Sequence, residues 1–164
     1  MNQQSAIASR SGRVLPPETL MSMSGLEFIR AIMHGDHPPP SIAVLLGFNI
    51  VEAEEGRVVF AGEPTENHLN PMGVVHGGYV ATLLDSCMTC AVQSMLKPGL
   101  AATTLDLNIH YTKATTPRSG LLRAEGKTVH IGKQLGTAEG RLIDPQGRVL
   151  AHATTSCLVF SARP

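Results

Sequence analysis

The chain has 164 residues, 43% hydrophobic and 16% charged, with 13 acidic and 13 basic side chains. That size and balance suit one globular domain with a real core, and zero net charge excludes a non-specific nucleic-acid binder or a polybasic membrane patch. The absence of tryptophan, with four Phe and two Tyr, argues against a platform for stacking bases, and three cysteines make no disulfide framework and point to a reducing cytoplasm.

Residues 1–16 are rich in Ser, Gln and Gly without a period and lack a secretory apolar core, so they are expected to be a loose tail before a single domain at 17–164. Helical spacing runs from Ser24 to His34, with Leu26, Ile29, Ile32 and Met33 on one face, Ser24 as cap, and Gly35 with the proline run 38–40 as the stop. A short apolar stretch, Ile42 to Leu46, leads into the first strand. Strands are predicted at Phe48–Glu54 and Arg57–Pro64 around the turn Glu55-Gly56. After a loop at Thr65–Val75 comes a long helix at about 76–96, stopped by Lys97-Pro98-Gly99.

Thr103–Tyr111 alternates, with Leu105, Leu107, Ile109 and Tyr111 on one face and Asp106, Asn108 and His110 on the other. Leu121–His130, Gln134–Ile143 and Val149–Phe160 complete the strands, the last two joined by the turn Asp144-Pro145-Gln146-Gly147. The order is β-β-α-β-β-β-β: an α+β domain with an antiparallel sheet, one long helix and an extra helix near the N-terminus. The long helix is apolar on nearly every side and is expected to be surrounded. Gly136, Ala138, Gly140, Ala151 and Ala153 on the facing strands leave room for it. It carries Asp85, Ser86, Thr89 and Gln93, which rejects a membrane span.

From Gly77 to Leu96, Asp85 is the one charged side chain. A carboxylate inside a buried helix is costly unless something satisfies or uses it. Gly77-Gly78 at the helix start leaves backbone N–H groups unpaired and open to close approach, and the helix dipole there suits an oxygen that becomes negative. Gly77 and Asp85 are eight residues apart, roughly 12 Å along a helix at about 1.5 Å per residue, so the two cannot both touch one reacting group from the same chain. A site at a two-fold interface follows. Cys87-x-x-Cys90 lies mid-helix with no second ligand pair nearby and reads as packing, with no metal site expected.

Asn70, His76-Gly77-Gly78, Asp85 and Thr89, followed by the strand Thr103–Tyr111, resemble the active-site signature of hotdog-fold acyl-CoA thioesterases of the phenylacetate-degradation (PaaI-like) type, over about residues 40–160. The resemblance implies a sheet wrapped around the central helix, in a homodimer or homotetramer that hydrolyses aryl- or medium-chain acyl-CoA without a cofactor. It implies Asp85 as nucleophile or general base and the Gly77 amide as the oxyanion donor. Asn70, His76 and Thr89 would give polar support, and Thr104 would sit near the attacking water. For the CoA arm it points to Gly78 and to Lys133 in a strand turn, with Arg118 as a second basic candidate. Met72, Val80, Leu84, Met88 and Met95 are candidates for an acyl pocket. Two competing readings are a hotdog hydratase or dehydratase of acyl thioesters, using His68 or His76 with Asp85, and a non-catalytic acyl-CoA-binding module.

Overall fold

A computed structural model describes residues 12–162. Residues 1–11 of the expected tail lie outside the described residues, and 12–16 form a lead-in whose Arg13 amide donates to the Pro39 carbonyl at 3.3 Å. Three short helices come first: α1 (Pro17–Ser22), α2 (Gly25–His34) and α3 (Ser41–Leu46). β1 (Phe48–Glu54) and β2 (Arg57–Gly62) form a hairpin, the long helix α4 (Gly77–Ser94) follows, and then come β3 (Leu100–Tyr111), β4 (Leu122–Ile131), β5 (Leu135–Ile143) and β6 (Val149–Ser161). All six strands make one antiparallel sheet in the order β1-β2-β4-β5-β6-β3. With α4 packed against it, this is a hotdog-like α+β architecture.

α2 begins where its sequence says it should. Ser24 and Glu27 form a reciprocal capping box, and Gly35 ends the helix at φ 91°. Gly25 donates its N–H to the Leu96 carbonyl at 2.9 Å, just past the end of α4. A side chain on Gly25 would strike the Gln93 backbone, so only glycine lets the start of α2 meet the tail of α4 this closely. Two elements differ from expectation. Pro17–Ser22 is helical, and so is Ser41–Leu46, bounded by Pro40 and by Gly47 at φ 68°. Six residues are too few to display a helical period, and of the second of these helices the sequence shows only the apolar run 42–46.

α4 is embraced by the concave face of the sheet and buries Val80, Leu83, Leu84, Cys87, Met88 and Val92 against Phe60, Leu122 and Leu142. It is wrapped, however, rather than enclosed. Ala81, Thr82, Asp85, Ser86, Thr89 and Cys90 are all half-buried and run along one side of α4 at helical spacing. The sheet approaches α4 through small residues: a Cβ on Gly136 would lie 2.5 Å from Val92 Cγ1, and one on Gly140 would lie 2.8 Å from Met88 Cγ.

Gly126 on β4, which sequence inspection did not single out, is tighter still against backbone. A Cβ there would lie 2.6 Å from the Met88 nitrogen and closer to the Cys87 carbonyl. Backbone cannot swing aside as a side chain can. Gly126→Ala is therefore expected to destabilise the fold by about 1–3 kcal/mol through overpacking, lowering the melting temperature by roughly 2–10 °C. A thermal melt unchanged from wild type would refute the close β4–α4 approach.

Candidate active site

The loop before α4 is pinned before the helix begins. Leu69 and Val75 form an isolated bridge, Val75 donates to the Thr115 carbonyl at 2.9 Å, and His76 donates to the His68 carbonyl at 2.7 Å. Asn70 closes this loop: its Oδ1 accepts from the Met72 amide at 2.9 Å and the Val74 amide at 3.3 Å. Within one chain Asn70 makes no hydrogen bond to Asp85, and its role there is to shape the turn that delivers His76.

His76 is the N-cap of α4, and its Nδ1 accepts from the Gly78 amide at 2.8 Å. Because Nδ1 is the acceptor, the neutral ring carries its hydrogen on Nε2. The Tyr79 amide donates to the His76 carbonyl at 3.0 Å. The Gly77 amide is left without a partner among the described residues, at the positive end of the helix dipole. Tyr111, at the end of β3, donates its hydroxyl to the Gly77 carbonyl at 3.0 Å and lies 3.1 Å from where a Gly77 Cβ would be.

Two turns on, Asp85 is half-buried on the open side of the helix. Thr104 donates to its Oδ1 at 2.7 Å, and Thr89 lies 3.4 Å from the same oxygen. Thr89 and Thr104 are 2.8 Å apart, and Cys157 Sγ is 3.8 Å from Thr89. A hydroxyl has one hydrogen to give. Thr104 spends its own on the carboxylate, so Thr89 donates to Thr104. Burial pushes the Cys157 thiol up, which keeps its hydrogen available to Thr89. Thr104 thus supplies the side-chain hydrogen bond to the Asp85 carboxylate, on Oδ1.

Thr104 reaches the helix because of an irregularity that strand alternation does not reveal. Thr104 pairs with Cys157 and Asp106 with Ser156, so Leu105 is an extra residue, a β-bulge. The bulge reverses the phase of the strand. Thr104 faces inward before it, and Leu107 and Ile109 after it. Leu105, expected to share their face, is 58% exposed instead.

A cavity of about 510 Å³ opens at the start of α4, lined among others by His76, Gly77, Gly78, Val80, Tyr111 and Lys113. Lys113 was not among the basic residues expected for the CoA arm. It follows β3 by two residues, and only the course of the chain brings it beside Gly77. Lys133 and Arg118 are exposed on turns and do not line this cavity. Of the side chains expected in an acyl pocket, Val80 lines the cavity, whereas Met88 and Leu84 are fully buried in the core, Met95 packs beside Gly56, and Met72 is 82% exposed.

His68 stacks on Tyr79 at a centroid distance of 4.2 Å, and its Nδ1 accepts from the Thr65 amide at 3.0 Å. Burial lowers its pKa, which favours the neutral ring. Neither His68 nor His76 bonds to Asp85 within the chain. Cys87 and Cys90 are held as thiols, burial pushing Cys87 well up and Cys90 up to about 12. Among the described residues, no group of three or more His, Cys, Asp or Glu is placed to hold a metal ion. No helix among them is long and apolar enough to cross a membrane.

Comparison with known proteins places this geometry in a family context. Residues 72–151 match the thioesterase superfamily. The chain is 35% identical to human acyl-coenzyme A thioesterase 13 over 120 residues, covering 66% of this chain and 81% of that protein. The Escherichia coli PaaI protein of the phenylacetic acid degradation operon superposes with a TM-score of 0.72 at 25% identity, over 85% of this chain and 97% of that one. A Streptococcus mutans protein solved with acetyl CoA bound superposes with a TM-score of 0.64 at 29% identity, over 72% and 92% of the two chains.

Proposed function

The chain belongs to the thioesterase superfamily, and on that premise we propose that it is an acyl-CoA thioesterase whose centre joins the start of α4 in one protomer to Asp85 of another. The observation that carries this reading is the pairing of an orphan amide at Gly77 with a half-buried carboxylate on the same helix, one of whose oxygens is tied to Thr104. They are too far apart along the helix to share a substrate within one chain.

In this reading the thioester carbonyl accepts a hydrogen bond from the Gly77 N–H, where the helix start stabilises the charge that develops on oxygen. His76 holds the Gly-Gly turn through its Nδ1 bond, and Tyr111 steadies the same turn through the Gly77 carbonyl. Asp85 either attacks the carbonyl carbon or draws a proton from a water that does. In both routes the C–S bond breaks, CoA leaves as the thiol, and the acyl group ends as a carboxylate. Thr104 orients Asp85, backed by Thr89. Gly78 and Lys113 flank the entry for CoA, with Lys133 and Arg118 as basic candidates further along the phosphate-bearing arm.

A long edge strand supports the assembly this requires. β3 lies at the end of the sheet, and beyond Ala102, whose amide bonds to the Gln93 side chain, its outer row of backbone groups has no partner strand among the described residues. Pairing with a second copy along β3 would cover the half-exposed Leu107 and Ile109 and bring another α4 alongside. A homodimer, or a homotetramer made of two, is the assembly proposed.

The test is release of free thiol from a panel of aryl- and straight-chain acyl-CoAs, followed with a chromogenic thiol reagent. Turnover on at least one thioester is expected. No thiol release from any of them by a folded, oligomeric protein would defeat the reading and favour ligand binding without catalysis.

A further inference from the structure

A second cavity, of about 590 Å³, flanks the other end of α4. Its walls include Phe28, Ile32 and Met33 of α2, Ile42 of α3, Phe48 of β1 and Phe60 of β2, with the proline run 38–40 beside them. All of these precede residue 72, where the superfamily match begins. Cys90 and Gln93 of α4 also line it. The volume falls within the range of roughly 300–1,000 Å³ that small-molecule pockets occupy. Arg13 is the one charged side chain among those that line it.

We propose that this cavity receives the hydrocarbon end of the acyl group, so that α2 and α3, which wall it, set the chain length the enzyme accepts. The proposal rests on the hydrolytic reading of Asp85 given above. Cys90 lies five residues beyond Asp85 and Gln93 eight, about 7.5 Å and about 12 Å along the same helix. Ser86 and Cys90, both half-buried and one turn apart, share a side of α4 that runs from the residue after Asp85 to the cavity wall at Cys90. The Asp85 charge is also felt at the Cys90 thiol, which burial foremost and then Asp85 raise.

A thioester carbonyl held at Asp85 therefore has its acyl carbons directed along this stripe toward apolar walls. Acetyl ends before reaching them. A rigid aryl group fills space beside the carboxylate without entering the chamber. A flexible straight chain of medium length reaches it, and each methylene that passes inside leaves water for an apolar surround.

The experiment compares kcat/KM, by thiol release, for acetyl-, butanoyl-, hexanoyl-, octanoyl-, decanoyl- and phenylacetyl-CoA. Beyond butanoyl, a rise of about fourfold per methylene is expected until the chamber is full, the factor that burial of one methylene corresponds to. Ile32→Trp, which fills the chamber from within, is expected to lower the decanoyl-to-butanoyl ratio by about tenfold or more. Ile42→Trp is a second filling variant at a position already 47% exposed, where a fold defect is not expected, and should lower the ratio in the same direction. A chain-length profile that is flat in wild type, or that keeps its ratio in both folded variants, overturns the chamber and leaves the thioesterase standing. Absence of hydrolysis on every thioester overturns both together.

Discussion

Asp85→Asn is expected to cut kcat by about 10²–10⁴, the range in which a positioned acid or base contributes to catalysis, while the protein stays folded. The reason for the separation lies in the hydrogen bonds. Thr104 donates to Asp85 Oδ1, and an asparagine carbonyl in the same place still accepts that bond. The substitution thus removes charge and basicity and leaves the local packing in place. Asp85 is half-buried and its carboxylate is held by the neutral Thr104 hydroxyl, so no buried cation is stranded by the change. Thiol release, circular dichroism and the oligomeric state measured on one preparation test the three parts together. Activity within tenfold of wild type in a folded protein would exclude Asp85 from the chemistry, and with it both the nucleophile and the general-base routes.

Gly77→Pro is expected to lower kcat by about 10²–10³, the effect of deleting one oxyanion donor. Proline is normally a blunt tool, but here the backbone accepts it. Gly77 is the first residue of α4, where proline is favoured because its missing N–H has no intrahelical partner. The residue before it, His76, already has φ −59° and ψ 135°, the extended conformation that a following proline demands. Its ring would press on Tyr111, a side chain 53% exposed and able to move.

The same variant tests whether the centre is shared. In a dimer mixed from Asp85→Asn and Gly77→Pro chains, one of the two sites combines the unaltered Gly77 of the first with the unaltered Asp85 of the second. Random reassortment of equal amounts makes half the dimers mixed, so about a quarter of wild-type activity should return from two inactive parents. A mixture as inactive as its parents, after subunit exchange is demonstrated, would mean that each chain carries a complete centre and that the two-fold arrangement is wrong.

Much of this was legible in one dimension, for identifiable reasons. The cap at Ser24, the turn at Glu55-Gly56, the long helix with its lone Asp85 and the succession of strands along the chain all rest on signals between near neighbours in sequence: cap chemistry, turn residues, periodicity. The incompatibility of Gly77 and Asp85 within one chain also follows from sequence spacing alone, since helix rise is fixed by backbone geometry. The family resemblance rested on residues of this same stretch.

Tertiary structure decided what depends on contacts between distant segments. The bulge at Leu105 turns Thr104 toward Asp85, and nothing in an alternating strand announces it, because an extra residue is defined by the partner strand. Gly126 looks like any strand glycine until the α4 backbone is laid across it. Lys113 reaches the start of α4, and Phe28, Ile32 and Phe48 close a cavity beside its far end, only once the sheet has curved and the N-terminal helices have docked. The residues of the candidate centre thus lie in a local motif, and the cavities beside it depend on packing between elements far apart in the chain.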